Sequence, residues 1–482
     1  MNTTTATHSS MEALYQERLR RYVTALRNEK PDRVPVRPFA AEMTAVHCGY
    51  TCQQVTHDYR LAFEAIIRCC KDYDWDATVA NMVYVWTGLT QALGLRYYGI
   101  PGIEVPPDTG FQYREPDAEH AYMRADEYDA LIADPTAFLY EVWLPRVSSE
   151  IVAPGQPNTY RSMLALVKGA MAMLNYFHDF GPQVRRMREE CGTVSAIAGI
   201  LKAPMDILAD KLRGYLGLAE DLVERPQKVR QACEALMPHL FHVALTTSDP
   251  AGLVPIGFWM HRGCVPFVSM EDFERMYWPT LKPIITELWR HGRQTLFYAE
   301  GNWDAHLDRF AELPERSIVY HVDRGDIRLA HRKLHSKFAL SGGVPNFVLA
   351  YRSPAEVREV VRTLIRDVGS DGGYILDACA IMQNEIRPEN VRAMTEAARE
   401  FGVYSGAPTS LEVHPPAQDA HRPEPAPELS GPWCVPPGVA RPWEWQAPES
   451  PPITGDPELV RRIWNEIEGF AHVFIWQILL SF

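Results

Sequence analysis

Between Val254 and Ala380 the chain keeps returning to one arrangement, a short and nearly continuous apolar run that stops abruptly at a polar or glycine-rich loop. The runs lie at 254–259, 295–298, 318–322, 338–341 and 374–377, and the loops that end them read MHRG, AEGN, VDRGD, GGVPN and DACA. Apolar runs this short, without alternation, predict strands buried on both faces, as in a parallel sheet. Apolar residues recur at helical spacing over 11–27, 60–70, 204–222, 226–247, 270–291 and 354–368, with Pro or Ser near several starts, and a further strand is expected at 34–39. Strands alternating with helices make parallel βα units. A (β/α)8 barrel builds its site on the loops after its strands, which is where the polar residues fall here. The rival, an open doubly wound sheet, lacks its G-x-G-x-x-G after an early strand. The expected fold is therefore α/β, a (β/α)8 TIM barrel over 28–405 behind an N-terminal helical extension at 1–27.

Past Tyr404 the composition changes. Residues 406–455 are rich in proline and poor in periodic apolar residues, and predict an extended linker or strap. Asp456-Pro457 then opens a last helix over 456–482, with Val460, Ile463, Trp464, Ile467, Phe470, Phe474, Ile475, Ile478 and Leu479 at helical spacing. So apolar a helix must dock, on its own barrel or on a partner subunit. No internal repeat is visible.

Bulk composition narrows the function. A 482-residue chain with 46% hydrophobic residues buries a large core, and its net charge of -13 argues against a nucleic-acid-binding face. The polar, amphipathic N-terminus has no secretory core, and no run approaches the length of a membrane span, so a cytoplasmic protein without a membrane role is expected. Nine cysteines in so long a chain fit a reduced compartment.

On a barrel the loop residues His261, Arg262, Tyr298, Glu300, His321, Asp323, Asp377 and Cys379 converge on one mouth, as a metal or acid-base site requires. Glu300, at the end of an apolar strand, is expected to have its pKa raised by desolvation and to act as a general acid, with Tyr298 beside His261 or His321 donating or relaying a proton. Gly301-Asn302 gives a tight turn, and Trp303 either covers the site or staples the following helix. Arg213 either positions a carboxylate or forms an exposed ion pair, and Tyr84, Trp86, Tyr97 and Tyr98 either wall a pocket or pack the core. His306 and His331 look like solvated helix residues.

Three segments in order, Asn28-Glu-Lys-Pro-Asp-Arg-Val-Pro-Val36, Gly342-Gly-Val-Pro-Asn346 before Ser353-Pro-Ala-Glu-Val357, and Gly372-Gly-Tyr-Ile-Leu376 before Arg387-Pro-Glu-Asn390, resemble the uroporphyrinogen decarboxylase superfamily over roughly residues 15–405. The resemblance implies a TIM barrel, often dimeric, and two chemistries. The decarboxylase branch grips carboxylates with an arginine-rich N-terminal loop, but the matching VPVRPFAAEMTAVHCGY has only Arg37 and then Glu42. The methyltransferase branch moves methyl groups between a corrinoid protein and a thiol or pterin, and its thiol-activating members hold zinc through His-x-Cys and a later Cys. Those positions fall on Tyr298, Glu300 and Cys379, so only Cys379 matches.

A zinc ion is then to be rebuilt from Glu300 and Cys379 with His261, or with His321 in its place. The resemblance implies a methyltransferase, a homodimer, moving a one-carbon group between a small substrate and a corrinoid protein or a tetrahydrofolate-like acceptor. Catalysis is assigned to Glu300, Tyr298, Asp323 and His261, and substrate binding to Arg262, His321, Asn346 and Arg37. The chain has no D-x-H-x-x-G pattern, so the corrinoid must arrive on another chain. The alternative is a cofactor-free decarboxylase acting on an aromatic or pyrrole-like acid through Glu300, Asp323 and Arg37 or Arg262. A third reading is a barrel that serves only in binding or assembly.

Overall fold

The computed structural model describes residues 2–82, 87–114, 116, 120–406, 413–417, 429–434 and 443–481, so Tyr84, Trp86 and parts of the 406–455 stretch lie outside the described residues. Among the described residues ten strands occur in chain order: β1 (Ala77–Thr78), β2 (Tyr98–Gly99), β3 (Gln112–Tyr113), β4 (Val194–Ser195), β5 (Ile200–Lys202), β6 (Ile256–Met260), β7 (Thr295–Ala299), β8 (Ile318–Val322), β9 (Ala339–Val344) and β10 (Tyr374–Ala378).

Strands β5 to β10 form one parallel sheet in which each strand neighbours the next in sequence. The expected strands from 295 onward are there within a few residues, and β6, β7, β8 and β10 are buried along their whole length. The ring closes through shorter pieces. β1 pairs with β4, and the Ala198 N–H donates to the Pro255 carbonyl at 3.0 Å, carrying the β4–β5 segment against the stretch before β6. Residues 34–40 complete the circle, because Val36 bridges Leu376 in parallel and the Asp76 N–H donates to the Val36 carbonyl. This stretch pairs without forming a regular strand, since Pro35 and Pro38 have no N–H to give to a ladder.

The N-terminal helix Asn2–Leu26 closes the base of the barrel. Its Leu19, Tyr22, Val23 and Leu26 join one apolar cluster with Leu296, Val319, Ala339 and Ile375 from the strands. Its Tyr22 hydroxyl donates to the Ala196 carbonyl at 2.9 Å.

Two expected helices are interrupted. The segment expected at 204–222 is a turn of helix at Pro204–Ile207, a wide π-helical turn at Leu208–Leu212, and a separate helix Gly214–Glu224 whose Gly214 has φ of 73°. A similar wide turn, Phe273–Tyr277, precedes the helix Trp278–Arg290. Between β1 and β4 the barrel carries the antiparallel β2–β3 hairpin and a 32-residue helix, Tyr160–Cys191, neither of which the periodicity indicated.

The last helix, Pro457–Ser481, is divided between two environments. Its end docks on its own chain: Ile475, Trp476, Ile478 and Leu479 are fully buried, the Trp476 indole donates to Thr136 Oγ1, and the Tyr97 hydroxyl donates to the Ile478 carbonyl. Its first half leaves Ile463, Ile467 and Phe470 exposed. Among the described residues no helix is long and apolar enough to cross a membrane.

Candidate active site at the barrel mouth

Every second residue of a barrel strand points inward, so residues two apart on one strand share a face at different depths. Above the apolar base the inward side chains form two polar tiers. Trp259, Tyr298, His321, Ser341 and Asp377 make the middle tier. His261, Glu300, Asp323, Gly343 and Cys379, each two residues further on, make the mouth.

Apart from Trp259, which reaches the cavity above it, the middle tier is sealed. The Tyr298 ring stacks on His321 with centroids 4.2 Å apart, and Phe39 packs edge-on against Tyr298 and Trp259. His321 is fully buried, and its Nε2–H donates to the Cys379 carbonyl at 2.9 Å, leaving Nδ1 to accept from Ser341 Oγ at 3.0 Å. Burial and the Arg37 charge push its pKa down to about 3. Arg37 lies under the Phe39 ring, 3.3 Å from Asp377, whose carboxyl burial raises to about 7. Three expectations change here. Tyr298 as a catalytic residue, and His321 and Arg37 as substrate contacts, all lie in this closed tier and line neither mouth cavity. Alternation places them correctly on the inner face and is silent about depth.

The mouth holds a chain of opposed charges. His261 Nδ1 lies 2.8 Å from Asp210 Oδ2, and His261 Nε2 lies 3.3 Å from Glu300 Oε2. Asp210 also accepts from Arg262 Nε at 3.0 Å and has Lys202 Nζ at 3.7 Å. Burial opposes a charge on His261, yet the Glu300 and Asp210 carboxylates outweigh it and raise its pKa to about 10. Burial alone would raise Glu300, but the His261 charge and hydrogen bond, with Lys202, bring it below its ordinary value. The expectation of a protonated Glu300 is therefore reversed: the proton sits on the imidazole, and Glu300 is its carboxylate partner.

Local structure holds these groups in place. Gly301, at φ 92°, turns the chain after β7, and its N–H donates to Asp323 Oδ2 at 2.8 Å. The Trp303 indole donates to the Glu300 carbonyl at 2.8 Å and is itself fully buried, which is the expected staple. The buried Asp206 accepts from the His261 and Arg262 N–H groups and from the Tyr277 hydroxyl, fixing the loop after β6.

Two cavities open on either side of Glu300 and Asp323. One, of about 520 Å³, is walled by Tyr98, Phe111, Tyr113, Phe267 and Trp259, with Leu480 of the last helix at its edge. The other, of about 1170 Å³, runs past Arg324, Asn346 and Cys379. Asn346 borders this space, but its amide holds the neighbouring loop, donating to the Ile381 carbonyl and accepting from the Ala380 N–H. Of the aromatic group, Tyr98 walls the smaller cavity and Tyr97 is buried behind it, with Lys211 Nζ 4.1 Å from its ring centroid. Asp210, Lys202 and Lys211 escaped sequence reading. The only signal for Asp210 was its spacing of four from Asp206 in PMDILAD.

Other expectations resolve away from the mouth. Arg213 is buried and bound to Asp221 and to the Met123 carbonyl, so it is neither exposed nor a substrate contact. His306 is fully buried against Phe273 rather than solvated.

The mouth residues do not fit zinc. The His261, Glu300 and Cys379 ligand atoms do not gather within 4.8 Å of one another. Burial, with Asp323, pushes the Cys379 thiol up to about 12, and His261 already has a carboxylate at each ring nitrogen.

Comparison with known proteins agrees with this architecture. A search of curated proteins gave no match. A solved methyltransferase from Methanosarcina mazei shares the fold at a TM-score of 0.51 and 15% identity, covering 79% of this chain and 98% of that one. The family model for uroporphyrinogen decarboxylase (URO-D) matches residues 157–401, more than half of the 482 residues, and the chain belongs to that family.

Proposed function

We propose that the chain is a methyltransferase that moves a methyl group between a small substrate held at the barrel mouth and a corrinoid protein or a folate-like acceptor. The observation that carries this reading is the Asp210–His261–Glu300 array facing the aromatic-walled cavity. A reduced corrinoid, when bound, would supply the nucleophile that takes the methyl group. The work left to this chain is to orient the substrate and to protonate the oxygen or nitrogen that the methyl leaves.

As the carbon–heteroatom bond breaks, its electron pair stays on the heteroatom, which becomes more basic. The His261 Nε2 proton then passes to it, directly or through Glu300, while Asp210 fixes the imidazole from the other side. A donor whose pKa stands near 10 matches the basicity of a phenol-like leaving oxygen. The aromatic walls suit a planar apolar body, and Arg262 borders the same cavity.

The test uses purified full-length chain, free reduced cobalamin and a panel of labelled aryl methyl ethers, methylamines and methyltetrahydrofolate. Transfer of label to the corrinoid, lost in Glu300→Gln and His261→Gln proteins with unchanged melting, supports the reading. Carbon dioxide release from an aromatic acid without any acceptor would replace it with the lyase reading.

A further inference from the structure

At the end of the barrel opposite the mouth, the helix Ile327–Leu334 finishes beside the loop that leads into β10. His331 and His335 stand four residues apart, so both imidazoles leave the same face of the chain. Their rings stack with centroids 4.4 Å apart and planes 20° apart. His331 is therefore not the solvated residue its place in an amphipathic helix suggests.

His331 Nε2 and His335 Nδ1 are both buried and have no hydrogen-bond partner among the described residues. Asp371, on the loop, holds its carboxylate 4.0 Å from His331 Nε2, too far for a hydrogen bond. One ligand atom from each of the three side chains lies within 4.8 Å of the others, and among the described residues no other group of three His, Cys, Asp or Glu side chains does so.

Zinc bonds to imidazole nitrogen and carboxylate oxygen run at about 2.0–2.2 Å, so two ligands of one ion stand up to roughly 4 Å apart. The three ligand atoms stand within about 1 Å of that range, and the exposed Asp371 has room to turn toward the imidazoles. Two nitrogens and one oxygen suit zinc, cobalt or nickel and not calcium or magnesium, which demand more oxygen donors.

We propose that His331, His335 and Asp371 form a binding site for a divalent transition-metal ion of the zinc type, completed by water, which ties the end of this helix to the loop entering β10. The ion gives both orphaned nitrogens a partner. Its distance from the mouth makes stability, not turnover, the quantity it governs, and it stands independently of the methyl-transfer reading.

The experiment takes the full chain without a histidine tag, stripped with chelator, and titrates Co²⁺ while following visible absorbance, then displaces it with Zn²⁺. Binding of about one Co²⁺ per chain is expected. It should weaken by about tenfold or more in His335→Gln, since even outer partners of a metal site cost that much, and by less in Asp371→Asn. Glu300→Gln should bind as the parent does. Zn²⁺ should raise the melting temperature of the parent and not of His335→Gln. If His335→Gln does not fold, Asp371→Asn decides, because that side chain is exposed. No binding, equal affinity in Asp371→Asn, or binding lost in Glu300→Gln would overturn the proposal.

Discussion

Tyr298 and Glu300 are two residues apart on one strand end, and His321 and Asp323 repeat that spacing on the next. The lower member of each pair is sealed and the upper member faces a cavity. The histidines of the two tiers, His321 and His261, show what this does. His321 has a carbonyl, a hydroxyl and an arginine around it, and burial keeps it neutral with a pKa of about 3. His261 is flanked by two carboxylates, and they hold it charged with a pKa near 10. Desolvation acts on both, and the charges within about 4 Å decide the sign. The middle tier is built for packing and the mouth for holding a proton.

The sharpest way to break this comparison is to remove the mouth pair. Glu300→Gln or His261→Gln should lower turnover by about 10²- to 10⁴-fold with an unchanged melt, whereas Tyr298→Phe should not. An equal loss from Tyr298→Phe would erase the distinction between tiers. Arg37→Met attacks the sealed tier and should destabilise the fold by about 3–5 kcal/mol at pH 8, measured by urea unfolding, because it strands Asp377. At pH 5 the cost should be smaller, since Asp377 takes up a proton near pH 7.

Asp210→Asn sharpens the role of the mouth charges. It should move the alkaline limb of the activity profile down from about pH 10 by about 1–3 pH units. The tiers should also differ in how stability follows pH. His321, depressed in the folded chain, contributes stability that is present above its unfolded pKa of about 6.5 and lost as pH falls toward 3. His261, raised in the folded chain, contributes stability that is present below about 6.5 and lost as pH rises through 10. Urea midpoints across pH should fall on both sides, each limb by at most about 1.4 kcal/mol per pH unit per histidine. The smallest effect belongs to Cys379→Ala, where a neutral buried thiol should cost only about 1 kcal/mol and leave turnover within about threefold.

Much of the barrel was legible because parallel strands are apolar on both faces and end at polar loops, so β7, β8 and β10 stand where their runs predict. The first strand was legible in place but not in form, because Pro35 and Pro38 interrupt its ladder. The insertion between β1 and β4 was not, since its strands are two residues long and the helix Tyr160–Cys191 exposes Met163, Val167, Met171 and Leu174. For the site, the sequence placed His261, Glu300, Asp323 and Cys379 together, but a period of two cannot separate their tier from the one beneath. Asp210 was hidden because a wide helical turn, not a strand end, delivers it to the mouth.

The proton at the mouth resides on His261 between two carboxylates. This placement is tested most directly by ¹⁵N NMR titration of the histidine rings, with His261 assigned through His261→Gln. His261 should stay doubly protonated up to a pH of about 10, and this limit should drop markedly in Glu300→Gln and in Asp210→Asn. A His261 that loses its proton at or below its ordinary pKa of about 6.5, unaffected by either substitution, would contradict it.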